Sequence, residues 1–165
     1  MTTHHDEELG EECVACGRPV LVEGDVNRME AALDAHGSAP VIEWLRSWLA
    51  RPRRSRSRRL ADLVAALEDF ADHPERLRRN EVNALAPGIW ELKVGMLRLP
   101  FAAGMCPGDL MEAPGRSLCL PKLVPQAAAD ERCARVTHGF EKRTTRTPRH
   151  ELDRALAIAR EDARK

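Results

Sequence analysis

The chain has 165 residues, 32% of them charged, and its 26 basic and 26 acidic side chains cancel to a formal net charge of zero. That length fits one domain with a core of its own. No run of roughly 18 apolar residues is present to span a membrane, and the acidic opening, MTTHHDEELGEE, lacks the apolar segment of a secretory signal. The expected compartment is therefore cytoplasmic, where the five cysteines serve as thiols or metal ligands and not as disulfides. Aromatic residues make up 4% and tyrosine is absent, so an aliphatic core is expected, with Trp44, Trp48 and Trp90 among its members. The zero net charge conceals segregation. RPRRSRSRR at 51–59 and the stretch beyond 134 are basic, which points to one face that meets an anionic partner.

Taken in order, residues 1–12 read as an acidic tail, and CVACGRPV at 13–20 as a tight turn leading into an extended piece at Val20 to Glu23. Asp25 is placed to cap a short helix with Val26, Met29 and Leu33 on one face, ended by Gly37. Pro40 suits the first turn of a second helix, whose apolar stripe is Val41, Leu45, Trp48 and Leu49. Leu60, Leu63, Val64, Leu67 and Phe70 mark a third, which stops before Pro74. The last two read as an antiparallel hairpin. After residue 85 the period shortens to two. IWELKV and the segment from Met96 to Ala102 form a hairpin turned at Gly95. Residues 103–133, rich in Gly, Pro and Ala, read as a long insertion with one short strand near 117–120. ARVTHGF at 134–140 is a further strand, and Thr147 and Pro148 open a closing helix with Leu152, Ala155, Leu156 and Ala159 inward. Helices, then strands, then a closing helix predict an α+β fold with an antiparallel sheet.

Two clusters carry chemistry. Lys142, Arg143, Arg146 and Arg149 gather where the last strand hands over to the helix. Cations at a helix start oppose its dipole, which favours an anionic ligand nearby. Cys13 and Cys16 have the CxxCG spacing of half a zinc site. Two of Cys106, Cys119 and Cys133, or His4 and His5, are candidates to close it, so a structural zinc is expected as the one possible cofactor, with none required for catalysis.

The phrases APVIEWLRSWLA, RLADLVAALEDFADH, APGIWELKVGMLRLPF and THGFEKRTTRTPRHELDRAL occur in the order seen in HigB-like toxins of the RelE/ParE superfamily, phage-derived branch. The chain resembles that family over about residues 39–160, apart from the 103–133 insertion, and the HGFEKRT…TP ending is the specific part. The resemblance implies a RelE-like domain at 38–165, an N-terminal helical hairpin packed on a small antiparallel sheet with a C-terminal helix. Residues 1–37 would be an added acidic and Cys-x-x-Cys extension. It further implies a type II toxin that cleaves mRNA, usually on the ribosome, and is silenced by a helix-turn-helix antitoxin.

In such cleavage the 2′-hydroxyl attacks the adjacent phosphorus and charge builds on the phosphate oxygens, where fixed cations lower the barrier. Arg98, Lys142 and Arg143 are the candidates for that task, with His138 the candidate general base by its ordinary pKa. Lys93, Arg146, Arg149, Arg54 and Arg58 are candidate RNA contacts. The chain departs from the family in having no tyrosine, in Lys93 for the usual arginine, in Glu141 for an apolar residue, and in its two additions. Two alternatives stand beside the nuclease: a non-catalytic module that binds RNA or a protein, and a ParE-like gyrase inhibitor.

Overall fold

The structure, a computed structural model, describes residues 17–51, 56–77, 81–105, 109–110 and 133–165. The strands are β1 (Val20–Glu23), β2 (Arg28–Ala31), β3 (Val82–Ala86), β4 (Ile89–Val94), β5 (Leu97–Met105), β6 (Asp109–Leu110), β7 (Cys133–Val136) and β8 (Phe140–Glu141). The helices are α1 (Pro40–Ala50), α2 (Arg56–Asp72) and α3 (Arg149–Asp162), with one 3-10 turn at Pro74–Arg76. The strands form one sheet in the order β1-β2-β7-β5-β4-β3, with β6 and β8 also paired to β5. The β2–β7 pair is parallel and the other pairs are antiparallel, so the sheet is mixed.

The sequence pattern accounts for much of this. Pro40 stands at the start of α1, where its missing N–H and fixed φ cost nothing. The β4–β5 hairpin alternates cleanly. Trp90, Leu92, Val94, Leu97, Leu99 and Phe101 enter the main core with Val41, Leu45 and Trp48 of α1 and Leu63 and Phe70 of α2. The other parity belongs to the opposite face, where Ile89 and Ala102 meet Ala155 and Ala159 of α3. The helices thus lie on both faces of the sheet. Both hairpin turns use glycine at positive φ, Gly88 at 77° and Gly95 at 59°, a region closed to most side chains.

Several expectations are corrected. The RelE-like arrangement of an N-terminal helical hairpin on a small antiparallel sheet is overturned: the described chain enters through a β-hairpin, β1–β2, and the sheet is large and mixed. Residues on both sides of position 37 share that sheet. The helix expected from Asp25 is β2, a strand paired on both edges with Met29, Glu30 and Ala31 all fully buried. A strand covered on both faces shows no alternation for a sequence reader to find. β3 is silent in the sequence because Val-Asn-Ala-Leu-Ala has little strand character. The strand expected at 134–140 breaks at 137–139 into β7 and β8. On α2, Leu63 and Phe70 are buried, whereas Leu60 and Val64 stay exposed. The helix cap before α3 is Pro148, not Thr147. The short strand expected near 117–120 lies outside the described residues.

A buried ionic cluster joins the two ends of the described chain. Asp162 at the end of α3 accepts from Arg18 Nε at 2.8 Å, from the Leu33 amide at 2.8 Å and from Arg135 of β7 at 3.2 Å. Arg135 also lies 3.8 Å from Glu30, which Arg28 meets at 2.9 Å. Buried charges persist only when paired in this way.

Candidate nucleic-acid interface

Register brings the first cations together. Lys93 on β4 stands directly opposite Arg98 on β5, so the two share a face. β8 then adds Phe140 opposite Arg98. Beyond it, the Lys142 amide donates to the Met96 carbonyl at 2.8 Å, which holds the start of the basic loop against the β4–β5 turn.

Beneath these cations lies Glu91, a fully buried carboxylate on the same parity of β4 as Lys93. Its Oε2 accepts the Thr147 hydroxyl at 3.2 Å, and Thr147 in turn accepts from Lys142 Nζ at 3.4 Å. Its Oε1 faces Arg98 Nε at 3.9 Å. That gap is too long for a hydrogen bond, and neither atom has another hydrogen-bond partner among the described residues. Arg98 is instead held at its far end, where one terminal nitrogen donates to the carbonyls of Gly95 at 2.6 Å and Leu97 at 2.7 Å. Arg98, Lys142, Thr147 and Glu91 form one connected group drawn from β5, the basic loop and β4.

Arg143 and Arg146 are exposed in the loop that follows, and the Thr144 hydroxyl closes it by donating to the Arg146 carbonyl at 2.7 Å. Arg149 is 84% exposed and pairs with Asp153 at 3.0 Å along α3, so part of its charge is already answered. Arg58 is exposed at the start of α2. Its neighbour Arg59 lies 3.9 Å from Glu141. Glu141 therefore faces α2, whereas Lys142 beside it meets Thr147. Arg54 falls outside the described residues.

His138 is not on the open surface. Its ring is fully buried, stacked on Phe140 at 5.7 Å, with Nε2 2.9 Å from Glu151 Oε2 and Nδ1 3.1 Å from the Thr137 hydroxyl. Burial pushes its pKa down to about 4, against the opposing pull of the hydrogen bond to Glu151. In this position it anchors Glu151 and the first turn of α3, and its ring is closed off from the exposed cations.

A groove of about 440 Å³ runs beside the β4–β5 turn and is bordered by Asp62, Asp69 and Glu81 as well as Lys93 and Arg98. It carries both signs, whereas the loop side gathers the cations Lys142, Arg143 and Arg146. Among the described residues no group of three or more His, Cys, Asp or Glu is placed to hold a metal. Cys13, Cys16, Cys106 and Cys119, the expected ligands, lie outside the described residues, and Cys133 is buried on β7. Among the described residues no helix is long and apolar enough to cross a membrane.

The cations are legible in sequence from residue type and clustering. Glu91 offers itself there as an ion-pair partner for Arg98, as the 3.9 Å approach bears out, but Thr147 does not stand out as part of the group. The available signal for Glu91 is an acidic residue in mid-strand between Ile89 and Lys93 on one parity. Thr147 has the local look of a helix cap, a role that its tertiary partner overrides. No protein-family model matches this chain, and no curated protein does.

Proposed function

We propose that the face built from Lys93, Arg98, Lys142, Arg143 and Arg146 binds the phosphate backbone of RNA, and that the protein is a toxin of a type II toxin–antitoxin module, an mRNA endonuclease acting with the ribosome and neutralised by a helix-turn-helix antitoxin. The observation that carries this reading is the convergence of strand-borne Arg98 with Lys142, both tied to one buried carboxylate. The HigB-like wording of the sequence supports it.

In the reaction the 2′-oxygen bonds to phosphorus, the 5′-oxygen of the next nucleotide leaves, and a 2′,3′-cyclic phosphate results. The 2′-hydroxyl proton passes to water, and the leaving oxygen is protonated in return. Arg98 and Lys142 stabilise the charge on the non-bridging oxygens. Arginine binds such oxygens through a planar fork and remains charged throughout. Arg143 and Arg146 hold flanking phosphates.

A second reading has a specific observation behind it. His138 is buried and the chain has no tyrosine, so neither the expected imidazole nor a phenol is presented on this face as a base. The exposed His150 sits on α3 and faces Glu151 at 3.3 Å. A module that binds RNA without cutting it fits that face as well. Inducible expression in a bacterial host separates the two, with wild type beside Arg98→Ala/Lys142→Ala/Arg143→Ala and with growth and transcript 5′ ends mapped. Arrest with new ends inside coding regions, lost in the variant, supports the nuclease. Normal growth, with purified protein that binds RNA and leaves it intact, selects the binding module. Absence of both binding and cleavage refutes each.

A further inference from the structure

The buried carboxylate is the unexplained part of this face. A phosphate-binding surface gains nothing directly from a negative charge, since Glu91 lowers the very potential that draws RNA. Yet Glu91 is fully buried, accepts a hydroxyl whose oxygen also receives Lys142, and leaves its second oxygen 3.9 Å from Arg98 Nε with no hydrogen bond made on either side.

We infer that Glu91 is a positioning residue for the phosphate-binding cations, setting the direction of Lys142 through the Thr147 hydroxyl and adding a charge attraction to the two carbonyl hydrogen bonds that hold the Arg98 guanidinium. The inference rests on the phosphate-binding reading of that face. Two features distinguish the arrangement from an ordinary stabilising ion pair. The Arg98–Glu91 approach attracts without a hydrogen bond and on the buried Nε side of the guanidinium, so Glu91 holds the group by its inner edge and takes none of its outer donors. The Lys142–Thr147–Glu91 chain fixes an ammonium, which on its four-carbon stem has no preferred direction of its own. The carboxylate thus trades some long-range attraction for cations held where a phosphate needs them, the usual requirement of a preorganised site.

The two roles for Glu91 predict opposite signs. If its charge matters only as charge, Glu91→Gln tightens RNA binding. If it positions the cations, Glu91→Gln weakens binding, by about ten-fold for the removal of one charge-assisted interaction. The experiment measures the affinity of the full chain for a short fluorescein-labelled single-stranded RNA by anisotropy, at several salt concentrations. It compares wild type, Arg98→Ala, Glu91→Gln, Thr147→Val and the Glu91→Gln/Thr147→Val double variant, with melting curves as the control for folding. Weaker binding by both single variants, and a double variant no weaker than the worse single, supports the inference, because two residues acting in one chain are non-additive.

Unchanged or tighter binding by a folded Glu91→Gln overturns it. Should Glu91→Gln fail to fold, Thr147→Val decides alone: it leaves every charge in place, and unchanged affinity overturns the inference. Wild type that binds RNA through Arg98 but ignores Glu91 and Thr147 removes this inference and keeps the proposed function. Wild type that binds no RNA removes both.

Discussion

The indole of Trp44 on α1 packs directly over the Cα of Gly139, so closely that a Cβ at that position would fall onto its six-membered ring. Trp44 is itself stacked on Trp48, with ring centroids 6.0 Å apart. This packing ties α1 to the break between β7 and β8, immediately next to His138 and two residues from Glu141. Gly139→Ala is therefore expected to destabilise the fold by about 1–3 kcal/mol through overpacking. A urea titration checks this, with a lower midpoint and an unchanged slope expected.

His138 makes stability depend on pH. In the unfolded chain it takes up its proton near 6.5, whereas in the fold burial delays this to about 4. Between those values the unfolded state binds more protons, so this contribution is complete above pH 6.5 and declines as pH falls toward 4. The full loss amounts to at most about 3 kcal/mol. His138→Gln removes the effect. The stability difference between wild type and the variant should shrink from about pH 7 to about pH 4.5 in parallel urea titrations. A difference independent of pH contradicts the assignment.

Asp162 anchors the end of α3 to β7 and to Arg18. Asp162→Ala leaves two buried guanidinium groups, Arg18 and Arg135, short of their shared carboxylate. The expected cost is about 3–5 kcal/mol, large enough to threaten folding. Far-ultraviolet circular dichroism with denaturant titration measures it. A change below about 1 kcal/mol would show the cluster to be replaceable.

Under the proposed function, the loop cations set the salt dependence of RNA binding. Removing one phosphate-bound cation should lower the slope of log K against log salt by about 0.7 for a single strand. Arg143→Ala and Arg146→Ala are expected to show that decrement. Arg149→Ala should show less, because Asp153 already shares its charge. Equal decrements at all three positions would mean that the α3 pair opens when RNA binds.

Signals confined to a few residues are legible in the sequence. Pro40 marks the start of α1, Pro74 the limit of α2, and Gly95 the hairpin between two alternating strands. The same holds for the cations of the candidate face, since Arg98, Lys93, Lys142, Arg143 and Arg146 stand out by type. His138 stands out only by its ordinary pKa, a property that burial changes.

What the sequence by itself determined is thus the alternation of β4 and β5, the amphipathic stripes of α1 and α3, and the gathering of positive charge after residue 141. Tertiary structure alone decided the rest. β2 reads locally as a helix, but its parallel pairing with β7 makes it a covered strand, and a mixed sheet follows. Glu91 and Thr147 are 56 residues apart, and only the fold puts them at 3.2 Å. The physical reason is common to both. Propensity and period act over one or two turns of chain, whereas strand pairing and buried charge depend on which distant residue arrives opposite.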